Sequence, residues 1–306
     1  MIHKKNAHST ETIAVRKTDF LRLVPVAVFV AVMSLTSCVK DELFNTPHPD
    51  HGKIILTTDW TERMEGVEVP ASWKISIGDY AAEETGAVHE ADRLFEPGDY
   101  RIIAYNPVDD ITVSGTTASV ASGNGKNGFI SGTPGILFTY VQDVTIEKDK
   151  NHAFTATMHQ QTGRLTLIIE PTGDAASRIE SIEGILSGAA GTMDFATGTY
   201  GAPSNVALHF TKITEGENAG KWTATVWLLG VTGDAQRLSA AISYTGGNPQ
   251  PTILTSDLTG DLKDFNSDKT EALTLGGSIV ETPAEGGFSA TITVWEIAEN
   301  GNVEIN

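Results

Sequence analysis

The chain has 306 residues, which is enough for about two domains, and it contains a single cysteine. Its formal net charge of −18 at pH 7 argues against nucleic acid or an anionic lipid surface as a partner. One cysteine also excludes a disulfide within the chain.

The first 37 residues are predicted to form a lipoprotein signal peptide. Five Lys and Arg residues precede the apolar stretch Leu23–Leu35, which is shorter than the ~20 residues of a membrane-spanning helix. Two small polar residues then lead to Cys38. This arrangement is typical of lipidation at Cys38, which would become the first residue of the mature protein and carry several acyl chains. The alternative is a free cysteine buried as a small apolar side chain.

Residues 38–51 are predicted to be a tether, rich in proline and charge. Lys40, Asp41 and Glu42 resemble the signal that directs outer-membrane lipoproteins of the Bacteroides group to the cell surface. A solvated charged linker is the alternative interpretation. His48 and His51 would make at most a weak metal site, and two histidines in a linker are more often simply polar.

From residue 52 onward the sequence is typical of β-structure. Apolar residues alternate in Lys53–Trp60 and again in Trp73–Ile77, and two further short strands are predicted at Leu137–Val141 and Val144–Glu147. Short strands follow at intervals of about ten residues with Gly, Pro and Asn between them, a spacing that predicts an all-β sandwich fold with little helix. A boundary near residues 150–163 divides the chain into an N-terminal sandwich, 52–159, and a C-terminal sandwich, 160–306.

The second half continues the same pattern. Its predicted strands include Arg164–Glu170, Ile179–Leu186, Val206–Lys212, Trp222–Leu229 and Leu238–Tyr244. Near the end, Phe288–Trp295 alternates strictly, and Asn300-Gly301 is typical of a tight type I′ turn. Gly286 and Gly287 allow this terminal segment to change direction.

The chemistry-bearing patterns do not predict an enzyme. Residues 123–128 fit G-x-G-x-x-G, but no helix follows to face a phosphate, so we expect a loop. An EF-hand starting at Asp264 would need glycine and glutamate where Lys269 and Leu275 stand. The cluster of Asp257, Asp261, Asp264, Asn266 and Asp268 is therefore expected to be a solvated loop, with a calcium site of another geometry as the alternative. No G-x-S-x-G or H-E-x-x-H motif occurs. We therefore predict no cofactor, no metal and no catalytic residue.

Tryptophan leaves one binding function open. The chain has five tryptophans, which would either stack on sugars or fill the cores of the strands. Coplanar, exposed tryptophans on one face would favour a surface carbohydrate-binding lipoprotein. Buried tryptophans together with a detachable terminal strand would favour an interaction protein. The residues are Trp60, Trp73, Trp222, Trp227 and Trp295.

Taken in order, several segments resemble the anchor-type fimbrial lipoproteins of the Bacteroides and Porphyromonas group, the FimB/Mfa family. No single motif is specific, and the order of all of them carries the resemblance. The matching segments are Cys38 with its preceding residues, Leu94–Tyr100 with Tyr105-Asn106, Gln160–Leu165, Ile182–Phe195 and the end from Gly286. The resemblance implies two transthyretin-like β-sandwich domains in tandem and a place at the base of a surface fimbria. An adhesive tip subunit shares this fold and is poorly separated from an anchor.

The resemblance also implies how partners join. Fimbrial subunits of this family donate a strand into a neighbour's sandwich, so the expected partners are fimbrial structural subunits and, through the lipid, the outer membrane. The candidate donor face is Phe288, Ala290, Ile292 and Val294. The alternative is that this segment is simply the last hairpin of the second domain.

The first strand of the fold is expected to stay in place. Stalk subunits of this kind lose their first strand to a protease that cuts after arginine. No arginine lies between Cys38 and Arg63, so the strand that begins at Lys53 should be retained.

Overall fold

A computed structural model describes residues 50–123, 125–173, 176–247, 250–284, 287–292 and 294–298. Cys38, Lys40, Asp41 and Glu42 lie outside the described residues, as does the Asn300-Gly301 turn. Lipidation and surface export therefore stay predictions.

The described residues form an all-β fold, as the strand spacing predicts. They contain no α-helix, only short 3-10 turns at Ala176–Arg178 and Thr245–Gly247. No helix in this part of the chain is long and apolar enough to cross a bilayer. The strands are β1 (Lys53–Asp59), β2 (Trp73–Ile77), β3 (Tyr80–Glu84), β4 (Val88–Glu90), β5 (Gly98–Tyr105), β6 (Ile111–Ser114), β7 (Thr117–Val120), β8 (Phe129–Ile130), β9 (Phe138–Ile146), β10 (Asn151–Thr157), β11 (His159–Gln160), β12 (Gly163–Pro171), β13 (Ile179–Ala190), β14 (Thr192–Asp194), β15 (Thr199–Tyr200), β16 (Pro203–Lys212), β17 (Trp222–Leu228), β18 (Arg237–Tyr244), β19 (Thr252–Asp257), β20 (Leu273–Ala284), β21 (Gly287–Thr291) and β22 (Glu296–Ile297).

The first half folds as two sheets around one core. One sheet has the order β10-β1-β4 and the other β11-β9-β5-β2-β3. Alternation places Ile54, Leu56 and Thr58 of β1 inward. Trp73, at 1% exposure, is among the largest side chains that fill this core. The central place of β1, between β10 and β4, makes it an integral part of the sandwich.

The second half forms a sheet that closes on itself. Its strands run β12-β17-β16-β13-β18-β19-β21-β20, and β20 pairs again with β12. Inward side chains of these strands make a second, larger core. Closure depends on β20 and β21, which are the strands that the candidate donor segment contains or adjoins.

A small sheet joins strands from both halves, which the sequence did not predict. Its order is β15-β14-β7-β6, so β7 of the first half pairs with β14 of the second. It covers a third core made by Ala118, Leu137, Met193 and Leu229. In addition, β8 pairs in parallel with β16. The division into domains 52–159 and 160–306 therefore stays a prediction, since these contacts cross it.

Individual strands differ from expectation in two ways. Residues 137–141 and 144–147 were predicted as separate strands, but β9 is continuous through them. The sequence also missed β3, β4, β8, β15 and β19. Four of these have three residues or fewer or carry charged and small side chains, so they lack a clear alternation of apolar residues.

Candidate interaction site

The last described strands are organised around β20. This strand pairs in parallel with β12 through seven positions, from Leu165↔Leu273 to Pro171↔Ile279. Its end pairs with β21, and its start pairs with β22. Both β21 and β22 run antiparallel to β20, so the candidate donor segment lies along β20 in a single direction.

Two side chains of this terminal segment are in the second core. Ile292 is 4% exposed and Trp295 is 8% exposed. Both approach Gly277 of β20, where a Cβ atom would lie 2.6 Å from Ile292 Cγ2 and 3.3 Å from the Trp295 ring. Glycine is therefore required at this position for the segment to dock.

One half-buried serine, Ser256, connects the segment to β19. Trp295 Nε1 donates to Ser256 Oγ at 2.8 Å, and Ser256 Oγ donates to the carbonyl oxygen of Ile292 at 3.0 Å. Such a chain of bonds satisfies the indole N–H at low exposure. Docking of the terminal segment is therefore specific, because these hydrogen bonds need both Trp295 and Ser256.

One edge of β21 pairs with β20, and its other edge forms a short ladder with β19. Among the described residues it pairs with β19 at two positions, Leu254↔Ala290 and Thr255↔Thr291. Beyond Thr291 the predicted alternation fails, because the strand ends there. Ile292 is buried while Val294 is 64% exposed, so these two members of the predicted face lie in different surroundings. Phe288 and Ala290 lie in β21.

Sequence reasoning missed a junction at Gln160. This side chain is 5% exposed, and its Oε1 accepts from Met64 N at 2.9 Å. Its Nε2 donates to the carbonyl oxygens of Thr162 and Lys269, each at 2.8 Å. One partner is a donor and two are acceptors, so a single amide orientation satisfies all three. In the sequence, Gln160–Leu165 carries part of the family resemblance, but its residue types do not indicate these hydrogen bonds.

Lys269 lies beside this junction, almost fully buried. Its Nζ donates to the carbonyl oxygen of Phe265 at 3.0 Å and to Asn266 Oδ1 at 3.2 Å, and lies 4.2 Å from the centre of the Phe265 ring. Burial lowers the pKa of the Lys269 ammonium to about 7. The stem packs on Gly163, where a Cβ atom would lie 3.0 Å from Lys269 Cδ.

The acidic loop before Lys269 is bonded to itself and to its neighbours. Asp257 Oδ1 accepts from Thr259 N, and Asp268 Oδ1 accepts from Thr270 N. Asn266 binds both the N–H and the carbonyl oxygen of Val231. In the described part of the chain, no three His, Cys, Asp or Glu side chains are grouped to hold a metal ion.

The glycine-rich motif is a loop. Residues 125–128 lead into β8, a two-residue strand, and no helix begins there. Gly125 and Gly128 both have positive φ, which explains the glycines without a phosphate.

The tryptophans do not form an exposed platform. Trp73, Trp222 and Trp295 are buried, and Trp60 and Trp227 are half-buried. Trp60 meets Phe138 edge-to-face at 5.5 Å, and its Nε1 donates to Thr58 Oγ1. Within the described residues, this burial does not provide the coplanar, exposed tryptophans that would favour sugar binding.

Comparison with known proteins places the chain in a family. The sequence profile of the Mfa2 family, described as fimbrillin-A associated anchor proteins Mfa1 and Mfa2, matches residues 80–301. The chain belongs to this family of fimbrial anchor proteins. The family is defined by structural proteins of fimbriae rather than by enzymes. No curated protein sequence matches this Mfa2-family chain.

Solved structures show the same fold. The fimbrial anchor protein Mfa2 of Porphyromonas gingivalis is 14% identical, with a TM-score of 0.53 over 82% of this Mfa2-family chain and 98% of its own. A candidate adhesin from Bacteroides ovatus is 15% identical, with a TM-score of 0.55 over 83% and 96%. A Bacteroides thetaiotaomicron protein described as a candidate polysaccharide-binding protein is 10% identical, with a TM-score of 0.55 over 82% and 99%. At these identities the likeness shows the β-sandwich fold alone.

Proposed function

We propose that this protein is a lipid-anchored subunit at the base of a surface fimbria, joined to its neighbour by donation of the terminal strand. The observation that carries the proposal is the family match over residues 80–301. Cys38 would hold the protein in the outer membrane, and Lys40, Asp41 and Glu42 would direct it to the cell surface. The partners are fimbrial structural subunits.

The construction of the terminal segment supports donation. Residues 287–297 follow β20 in the chain, so they are able to leave without breaking the seven-position ladder between β20 and β12. On its other edge, the described part of β21 has two register positions with β19. Leaving would unseat Ile292 and Trp295, and a comparable groove in the partner would have to receive them. In this proposal, the terminal segment lies along β20 before assembly and moves into the partner's groove when the fimbria assembles.

Retention of β1 is supported by the turn that follows it. Arg63 is exposed, but its Nε donates to the carbonyl oxygen of Val67 at 3.0 Å. Met64 is 5% exposed, and its N–H bonds to Gln160. A protease needs an extended chain on both sides of the cleaved bond, and this turn holds the bond after Arg63 in a folded conformation. With β1 in place between β10 and β4, the position of the first strand is occupied, so we expect the protein to donate a strand rather than to accept one at that position.

A disulfide that fastens β21 to β19 tests donation directly. The double variant Thr255→Cys/Thr291→Cys joins register partners of these strands, and the periplasm is oxidising enough to close the bond. Cells with the locked protein are expected to shed their fimbriae into the medium, since the segment is unable to leave. The count of cell-bound against shed fimbriae by electron microscopy measures this.

Two control variants make the result specific. Thr166→Cys/Thr225→Cys joins β12 to β17, where the two hydroxyl oxygens lie 2.9 Å apart, and leaves the terminal segment unrestrained. Thr255→Ser/Thr291→Ser removes the methyl groups without a bond. Both controls should keep their fimbriae. If the locked variant reaches the surface and also keeps them, strand donation by this segment is wrong.

Carbohydrate binding is the second candidate function, because a similar structure is described in those terms. The burial of the tryptophans speaks against stacking on sugars. An adhesive tip subunit is the third, and the position of the protein along the fimbria distinguishes it from an anchor.

A further inference from the structure

The edge of the first sandwich at β10 has an open hydrogen-bonding ladder. Within the described residues, β10 pairs with β1 alone, in parallel, from Lys53↔Asn151 to Asp59↔Thr157. At either end of the ladder, Lys53 N donates to the carbonyl oxygen of Lys150 and Met158 N to that of Asp59. In a parallel pair alternate residues bond to the neighbour, so the even-numbered residues of β10 face β1. The N–H and carbonyl groups of the odd-numbered residues, 151 to 157, therefore point away from the sheet.

Other free edges in the described structure are short or charged. β4, β6, β11 and β15 have four residues or fewer. β3 carries Glu83 and Glu84, and the part of β9 beyond its pairing with β11 carries Asp143. β10 has seven residues, no proline and no Asp, Glu, Lys or Arg, and its register with β1 has no bulge. Proteins normally protect an exposed sheet edge with charged side chains, proline, a bulge or a very short strand. Since β10 has none of these, it is the described edge best suited to pair with a strand from another chain.

The sequence of β10 is complementary to itself. In an antiparallel pair centred on Phe154, Asn151 lies opposite the partner's Thr157, and Ala153 lies opposite the partner's Thr155. Both members of each pair present outward N–H and carbonyl groups, so each pair exchanges two hydrogen bonds. Every outward group of the strand thus finds a partner. No like charges meet, because β10 has no Asp, Glu, Lys or Arg.

The centre of this register places two aromatic rings together. Phe154 is half-buried, packs against the first core and stacks on His152 with ring centres 6.2 Å apart. It would lie beside the partner's Phe154 in a non-hydrogen-bonded pair, where side chains approach most closely and aromatic contacts stabilise a sheet. We propose that β10 is the contact strand of a two-fold dimer, with a second copy of this chain as the partner.

Paired cysteines test the register. Ala153 and Thr155 are exposed, so Ala153→Cys/Thr155→Cys should fold normally. It is made in the full chain with Cys38→Ser, which removes the other thiol. Mild oxidation is expected to give a covalent dimer on a non-reducing gel. The matched control is Ala81→Cys/Glu83→Cys on the exposed side of β3, which should stay monomeric.

Sedimentation velocity tests the affinity. Association should strengthen with added salt, because each copy carries a formal charge of −18. Ala153→Lys/Thr155→Lys should weaken it by roughly tenfold or more, since like charges then face each other, while Ala153→Ser/Thr155→Ser should not. A wild-type chain that stays monomeric at high concentration and high salt would overturn the proposal. So would equal cross-linking of the β3 control, or a dimer that forms only after residues 39–49 are deleted, which would mean that the tether covers this edge.

Discussion

At the scale of the residue, Lys269 shows how a charge is accommodated without a counter-ion. In the part of the chain that the structure describes, Lys269 forms no salt bridge, and its Nζ is bonded to a carbonyl and an amide oxygen. The nearby rings are those of Phe265 and Tyr200. Burial disfavours the ammonium form, which lowers the pKa to about 7 from an unperturbed value of 10.5.

The stability of the protein should therefore depend on pH above neutrality. Between pH 7 and 10.5 the unfolded chain binds a proton at this lysine that the folded chain has lost, so stability rises with pH by up to about 1.4 kcal/mol per unit. Below pH 7 the cost of burying the ammonium is fully present. Lys269→Met should flatten this slope and stabilise the protein at pH 6 by about 1–3 kcal/mol. Urea denaturation across pH measures both effects.

The exposed Lys263 supplies the control for this prediction. Its side chain is 72% exposed, so Lys263→Met should leave the pH dependence unchanged. A slope that persists in Lys269→Met would show that another group is responsible.

At the scale of the element, Gln160 is the point where three segments meet. Met64 lies in the turn after β1, Thr162 precedes β12, and Lys269 lies in the loop before β20. Because β1 and β20 belong to different sheets, one side chain fixes the first sandwich against the closed sheet of the second.

Gln160→Leu should lower the free energy of unfolding more than the same substitution at the neighbouring Gln161. It leaves the Met64 N–H and the carbonyl groups of Thr162 and Lys269 without partners in a buried place, at a cost of about 2–4 kcal/mol. The half-buried Gln161, whose Nε2 bonds to Thr139 Oγ1, serves as the control in Gln161→Leu and should cost less. The free energies of unfolding from chemical denaturation compare the two. Equal losses would show that Gln160 has no special role at the junction.

The sequence predicted these elements unequally. Strands such as β1, β2 and β17 were predictable, because each has one apolar face and its apolar and polar residues therefore alternate along the sequence. The strand was expected to run on to Trp295, but β21 ends at Thr291, and the side chains of Ile292 and Trp295 both lie against Gly277. Pairing between β7 and β14 and the bonds of Gln160 were not predictable, because they depend on long-range register and not on local pattern.

At the scale of the whole molecule, the proposed anchor depends on its lipid. Cys38→Ala is expected to move the protein from the detergent phase to the aqueous phase on Triton X-114 partitioning, since the acyl chains are lost. Mass spectrometry of the wild-type protein from assembled fimbriae should find an acylated N-terminus at Cys38. Unchanged partitioning of the variant, or a new start after Arg63, would contradict lipidation or the retention of β1 respectively.

The position of the protein along the fimbria is the most direct test of the account. Immunogold labelling of intact fimbriated cells, with antibodies against residues 50–298, locates it by electron microscopy. An anchor predicts a single gold cluster where each fimbria meets the cell, and shed fimbriae should carry the label at one end or lack it. Label along the shaft or at the distal tip, with none at the cell surface, would contradict the proposal that this protein is the base of the fimbria.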